Sequence, residues 1–179
     1  PGDLFFDMEG DPYALDDDAD TGLEYLFGVI ELTKKHTPKY HAFWAHSRAE
    51  EKTAFEAFID FVMARREHHP DLHVYHYAPY EPSAMKRLMG SHHTREREVD
   101  ELLRAEVFVD LYAVVRQGVR IGSESYSLKK VEQLYMERPP GEVMDGGGSI
   151  VAYEEYLEHG EQATLDEIEA YNEIGRAHV

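Results

Sequence analysis

The sequence predicts an α/β domain in which a mixed sheet carries helices on its faces. Three observations predict it. Three strand-like runs follow one another at the start of the chain, DLFFDME, EYLFGVIEL (24–32) and KYHAFWAH (39–46), each rich in aromatic or branched residues. The apolar period then becomes helical and returns to a strand in DLHVYHY (71–77). Beyond that strand the chain reads mostly as helices. Three consecutive strands suggest an antiparallel meander. A strand that follows a helix arrives by a crossover, which places it parallel to a neighbour.

The connectors after the first two strands are PYALDDDADTG and TKKHTP, and the second is short enough for a hairpin. From Arg48 to Arg66, Phe55, Phe58, Ile59 and Val62 recur at helical spacing. Ser47 is the expected N-cap, with Glu50 completing a capping box, and Pro70 closes the helix. A helix is expected from about Glu81 to Met89, with Pro82 in its first turn, where proline is tolerated. Further helices are expected around 95–105, 110–117, 126–136, 150–158 and 164–173, and VFVDL (107–111) reads as a further strand. Pro139, Pro140 and the triple glycine at 146–148 read as loop, and there is no internal repeat.

The chain has 179 residues, enough for one domain, and 42% of them are hydrophobic, enough to bury a core. Disorder as the main state is therefore excluded. A formal charge of −18 argues against a free-standing DNA-coating protein, which needs a basic footprint, and suits a chain that gathers divalent cations. The absence of cysteine excludes disulfides, Cys-ligated zinc, iron–sulfur clusters and thiol nucleophiles. No apolar run approaches the roughly 20 residues of a membrane helix, no signal peptide is visible, and a cytoplasmic location is expected. A strand that starts at Leu4 and a helical pattern that stops in IGRAHV suggest a domain excised from a longer protein.

Asp7 and Glu9 stand two apart on the first strand, so both side chains share a face while Phe6 and Met8 point into a core. Two neighbouring carboxylates repel unless a cation lies between them, and hard divalent cations take such oxygen ligands. In so acidic a chain an acid-x-acid triplet also arises readily by chance. Glu81 follows the strand that ends near Tyr77, at the kind of strand end where α/β sheets bind ligands. Its plainer role is to complement a helix dipole. DEIEAYNE (166–173) places Tyr171 on an acidic helix, which by itself reads as solvated surface.

Taken together, DLFFDMEGDP, HYAPYEPSAMKRL, VFVDLYAVVRQGVRIGSESYSLKKVE and DEIEAYNE resemble the DEDD 3′–5′ exonucleases, and more closely the ribonuclease H-like nuclease domain of bacterial predicted RecB-family nucleases. The stretches span nearly the whole chain. The resemblance implies a ribonuclease H-like fold over residues 1–173, with 174–179 as a foreign or truncated tail. It gives Asp7, Glu9 and Glu81 the role of metal ligands, and His76 and Tyr80 places flanking Glu81. It gives Tyr171 the role of orienting the attacking water. It further implies two Mg²⁺ or Mn²⁺ ions, about 3.5–4 Å apart, hydrolysing phosphodiester bonds of DNA or RNA. The implied partners are a single-stranded 3′ end and other domains of a parent chain, such as a RecB-like nuclease or helicase, and no membrane. The chain departs from the pattern at two places: Glu81 stands where many relatives have Asp, and Gly175 stands where the last acid belongs. Those departures leave open a catalytically degenerate nucleic-acid-binding or scaffolding module of the same fold.

Other candidates are weaker. Ten of the 18 basic residues lie between Lys86 and Arg138, and Arg116, Arg120, Lys129 and Lys130, together with His76, are the candidates for contact with nucleic acid. The eleven histidines include no HExxH, so a zinc site is not expected. The glycines at 146–148 lack the Lys and Ser/Thr of a P-loop. The acids at 16–20 lack the glycine and closing glutamate of an EF-hand.

Overall fold

A computed structural model of the protein describes residues 2–14, 22–33, 37–135 and 146–177, with side chains described up to Glu173. The acid run at 16–20 and Pro139–Pro140 lie outside the described residues. Five strands form one sheet: β1 (Leu4–Asp11), β2 (Leu23–Leu32), β3 (Pro38–Trp44), β4 (Val74–His76) and β5 (Phe108–Asp110), in the order β3-β2-β1-β4-β5. The first three pair antiparallel, and β4 and β5 add in parallel beside β1. This is the expected mixed sheet, and it puts β1 at its centre.

The alternation along β1 divides the molecule. Phe6, Met8, Phe27 and Val29 face a core closed by α1 (Arg48–His68), α2 (Tyr80–His92) and α3 (Glu96–Arg104). Phe58 of α1 is fully buried there, its ring 4.2 Å from that of Phe6. Burying such a side chain contributes about 1.5–3 kcal/mol. The opposite face is covered by α6 (Gly146–His159) and α7 (Gln162–Ala177), whose Ala152, Tyr153, Leu165 and Ile168 pack on Leu23, Tyr25 and Leu26. Between β5 and α6 lie α4 (Leu111–Gly118) and α5 (Leu128–Glu132).

The pairing of β1 with β2 is broken at one point. Glu9 pairs with Leu26 but Gly10 pairs with Glu24, so Tyr25 is skipped on β2. Such a bulge re-aims the strand. It puts Tyr25 and Leu26 on the same side, both in the α6–α7 cluster. Glu24 turns to the other side, towards α2, where Tyr80 and Arg87 meet it.

Several element boundaries move. Ser47 caps α1, its Oγ accepting from Glu50 N–H at 3.3 Å, but the Glu50 carboxylate takes the N–H of His46 rather than that of Ser47. The glycines at 146–148 are not loop; they open α6. The cost of glycine in a helix is offset by Ser149, which is fully buried and bonded to Tyr25 Oη at 2.5 Å. Likewise α7 spans Gln162–Ala177 instead of 164–173, and α5 spans Leu128–Glu132 instead of 126–136.

Candidate functional site

On the α7 face of β1 the strand period places Asp7 and Glu9 together, as the sequence implies. What holds them is Asn172 of α7. Its Nδ2 donates to Glu9 Oε1 at 3.2 Å and to Asp7 Oδ2 at 3.4 Å. The orientation of that amide is fixed from behind, because Tyr40 Oη donates to Asn172 Oδ1 at 2.9 Å. Asn172 is 1% exposed, so the arrangement is built into the packing. Gly28, opposite Asp7 on β2, makes room for it: a Cβ there would collide with Asn172 Oδ1. Only glycine allows the helix so close.

Electrostatically Glu9 carries the cost of burial. Burial pushes the Glu9 carboxyl above its ordinary value, and hydrogen bonds from Asn172 and Ser149 oppose that rise. Glu24 raises it further, while Lys129 acts in the lowering direction. Lys129 is therefore a basic candidate whose charge is felt at Glu9. Lys130, Arg116 in the last turn of α4 and Arg120 beyond that helix are exposed.

Glu81 sits elsewhere. It is 2% exposed in the first turn of α2, with Oε2 3.4 Å from His76 Nδ1. That nitrogen also lies 2.8 Å from Ala78 O. The β4–β5 register sets His76 beside Asp110, whose Oδ1 accepts from Ala78 and Tyr112 N–H groups. Burial raises the Glu81 carboxyl, and Asp110 adds to the rise. Ala78 takes a positive φ of 76°, an uncommon conformation for a residue with a Cβ, in the turn that delivers α2 to this place. Tyr171 is half-buried on α7, one residue and so about 100° round from Asn172. Tyr80 is 51% exposed and donates to Glu24 Oε1 at 2.7 Å.

Among the described residues, no three His, Asp or Glu side chains are grouped so as to hold a metal ion. Asp7 and Glu9 alone fit one hard cation. They are two carboxylates on one face, one of them burdened by burial, and Mg²⁺ is commonly held by one or two carboxylates with the remaining positions left to water and phosphate. Glu81 is the carboxylate left over: its Oε2 lies 3.4 Å from His76 Nδ1 but is buried without a hydrogen-bond partner.

Sequence reasoning did not single out Asn172, Ser149 or Tyr40. Asn172 sits inside the DEIEAYNE stretch, beside the tyrosine that draws attention there. The small residue at Gly28, directly opposite Asp7, is the signal that a helix approaches.

Comparison with known proteins agrees with this architecture. A family model described as the RNase_H superfamily matches residues 4–175. The chain belongs to that superfamily, whose mixed sheet it has and whose members' nuclease-like fold implies a nucleic-acid substrate. Neither the comparison with curated proteins nor that with solved structures gives a match. None of the described helices is long and apolar enough to cross a membrane.

Proposed function

We propose that this domain is a metal-dependent nuclease that hydrolyses phosphodiester bonds of a single strand from its 3′ end, with Asp7 and Glu9 as the metal-holding pair. The observation that carries the reading is the pairing of these two carboxylates through one buried amide on the central strand of an RNase H superfamily sheet. Acids held so close are disfavoured as a purely structural device, since Glu9 gains nothing from burial as an anion.

A bound Mg²⁺ or Mn²⁺ supplies Lewis-acid polarisation of the phosphate and a lower pKa for its water. The chain's own residues do the rest. Asp7, less buried than Glu9, would be the carboxylate nearer the substrate, and Glu9 the inner one. Asn172 holds both acids in register and partly offsets their mutual repulsion. Lys129 contributes positive charge beside them, where phosphate oxygens gather. Tyr171 is assigned the orientation of the attacking water, and Glu81 the second ion of a two-ion form, on the strength of the family resemblance. Other domains of a parent chain, of the RecB-like kind, would deliver the strand.

A second reading, a module that binds nucleic acid without chemistry, is favoured by one observation: among the described residues no third His, Asp or Glu joins Asp7 and Glu9 in a metal-binding group. Single strands of DNA and RNA labelled at the 5′ or the 3′ end separate the readings. Mn²⁺-dependent ladders shortening from the 3′ end support the exonuclease. Binding of the strands with no shortening supports the non-catalytic module.

A further inference from the structure

Asn172 meets the two acids with the end of its amide that cannot bind a metal. Its Nδ2 faces Asp7 Oδ2 and Glu9 Oε1, and an amide NH₂ group only donates. That orientation and a cation between the acids exclude each other. A cation therefore requires Asn172 either to leave or to turn. Leaving is costly: Asn172 is 1% exposed, and it is packed so closely on β2 that a Cβ on Gly28 would collide with its Oδ1. Ile168, one turn earlier on α7, is fully buried with Leu23, Tyr25 and Leu26 and holds the helix down. Turning disturbs little, because the two ends of a side-chain amide are nearly the same size. The rotation needs a neighbour that serves either polarity, and Tyr40 is one. Its Oη donates to Asn172 Oδ1 at 2.9 Å, and a hydroxyl accepts equally well from an N–H. Burial, followed by the charges of Glu169, Glu9 and Glu173, pushes its ionisation up, so it stays a hydroxyl. Glu169, which accepts from Trp44 Nε1 at 3.0 Å, offers an acceptor for the phenol proton when Nδ2 takes the other side.

We propose that Asn172 is a ligand of the cation held by Asp7 and Glu9, its amide inverting to present Oδ1, with Tyr40 as the positioning residue that receives Nδ2. Hard cations accept neutral carbonyl oxygens beside carboxylates. Such an oxygen adds a third donor where, among the described residues, no third His, Asp or Glu is grouped with the pair. It does so without adding negative charge beside Glu9, which burial already disfavours as an anion. Tyr40 then orients the ligand from behind, as hydrogen-bond partners of metal ligands commonly do. The inference rests on the reading of Asp7 and Glu9 as the metal-holding pair, and goes beyond it in making one amide exchange its two roles. The rival role is a stand-in for the cation, which competes with it.

The test is a Mg²⁺ titration of the native protein, Asn172→Leu and Asn172→Asp, followed by ¹⁵N-¹H NMR. A ligand and a competitor move the affinity in opposite directions when they are removed. Asn172→Leu, an apolar group of similar shape, should weaken Mg²⁺ binding on the order of tenfold. Asn172→Asp keeps an oxygen in place and should bind Mg²⁺ at least as tightly as the native protein. Should Asn172→Leu fail to give a folded spectrum, the native protein decides: Mg²⁺ should bring the Asn172 NH₂ protons into strong nuclear Overhauser contact with the Tyr40 ring, which a merely structural role would not do. Unchanged or tighter binding in Asn172→Leu would overturn the ligand role and leave the acid pair standing. So would saturable Mg²⁺ shifts at Asp7 and Glu9 with the contacts of the Asn172 NH₂ group unaltered. Absence of any saturable Mg²⁺ response at Asp7 and Glu9 would overturn both. Inversion on Mg²⁺ binding in a protein that cleaves no strand supports the ligand and defeats the nuclease reading alone.

Discussion

Asn172 Nδ2 donates to Glu9 Oε1 across 3.2 Å, joining the last helix to the central strand through a buried pair. The same nitrogen reaches Asp7 Oδ2, so one amide stands between two acids, where a cation would also be favoured. Asn172→Ala should cost about 1–3 kcal/mol, since it strips a donor from a buried carboxylate. Asn172→Asp should be less stable still without metal, because it adds a third carboxylate. Its melting temperature should then rise with Mn²⁺ by more than that of the native protein. Thermal melts with and without Mn²⁺ check both, and an Asp variant indifferent to Mn²⁺ would place the cation elsewhere.

The pH dependence follows from Glu9, whose carboxyl is held above its ordinary 4.5 by burial. A carboxylate raised in the fold favours the folded state while it is protonated. That contribution is fully present below 4.5 and is lost as pH rises through the folded value. Glu24 and Glu81 are raised too and act in the same sense. Glu9→Gln keeps an acceptor for Asn172 and removes the charge. Its melting temperature should therefore fall less than that of the native protein between pH 5 and pH 8, while its gain from Mn²⁺ at pH 8 largely disappears. A steeper fall in the variant would contradict the assignment.

Glu81→Gln separates a partner of His76 from a ligand of a second ion. The Mn²⁺-dependent rise in melting temperature should survive, because the Asp7–Glu9 pair is untouched. Strand cleavage should drop on the order of 100-fold if a metal-borne charge is lost from the reaction. Cleavage at the native rate would confine Glu81 to its contact with His76.

Much of this fold was legible because strand alternation is a local property. Phe6 and Met8 against Asp7 and Glu9 announce two faces of β1, and the helical spacing of Phe55, Phe58, Ile59 and Val62 announces α1. What escaped was decided by contacts distant in the chain. Asn172 is one polar residue on an acidic helix until Gly28, 144 positions earlier, is seen to make room for it. Glu81 looks like a companion of Asp7 in sequence order, but the short β4 and its register with β5 give it His76 and Asp110 instead. The glycines at 146–148 read as loop on propensity, and the burial of Ser149 against Tyr25 overrides that.

The most direct measurement compares the native protein with Asp7→Asn for Mn²⁺-dependent degradation of a labelled single strand, at equal concentration and with matched melting curves. Asp7 sits at the Asn172 bridge but is less buried than Glu9, so the variant should fold. If Asp7 and Glu9 hold the catalytic metal, the native protein shortens the strand only when Mn²⁺ or Mg²⁺ is supplied, and Asp7→Asn shortens it at least about 100-fold more slowly. Equal degradation by the two proteins would contradict that role.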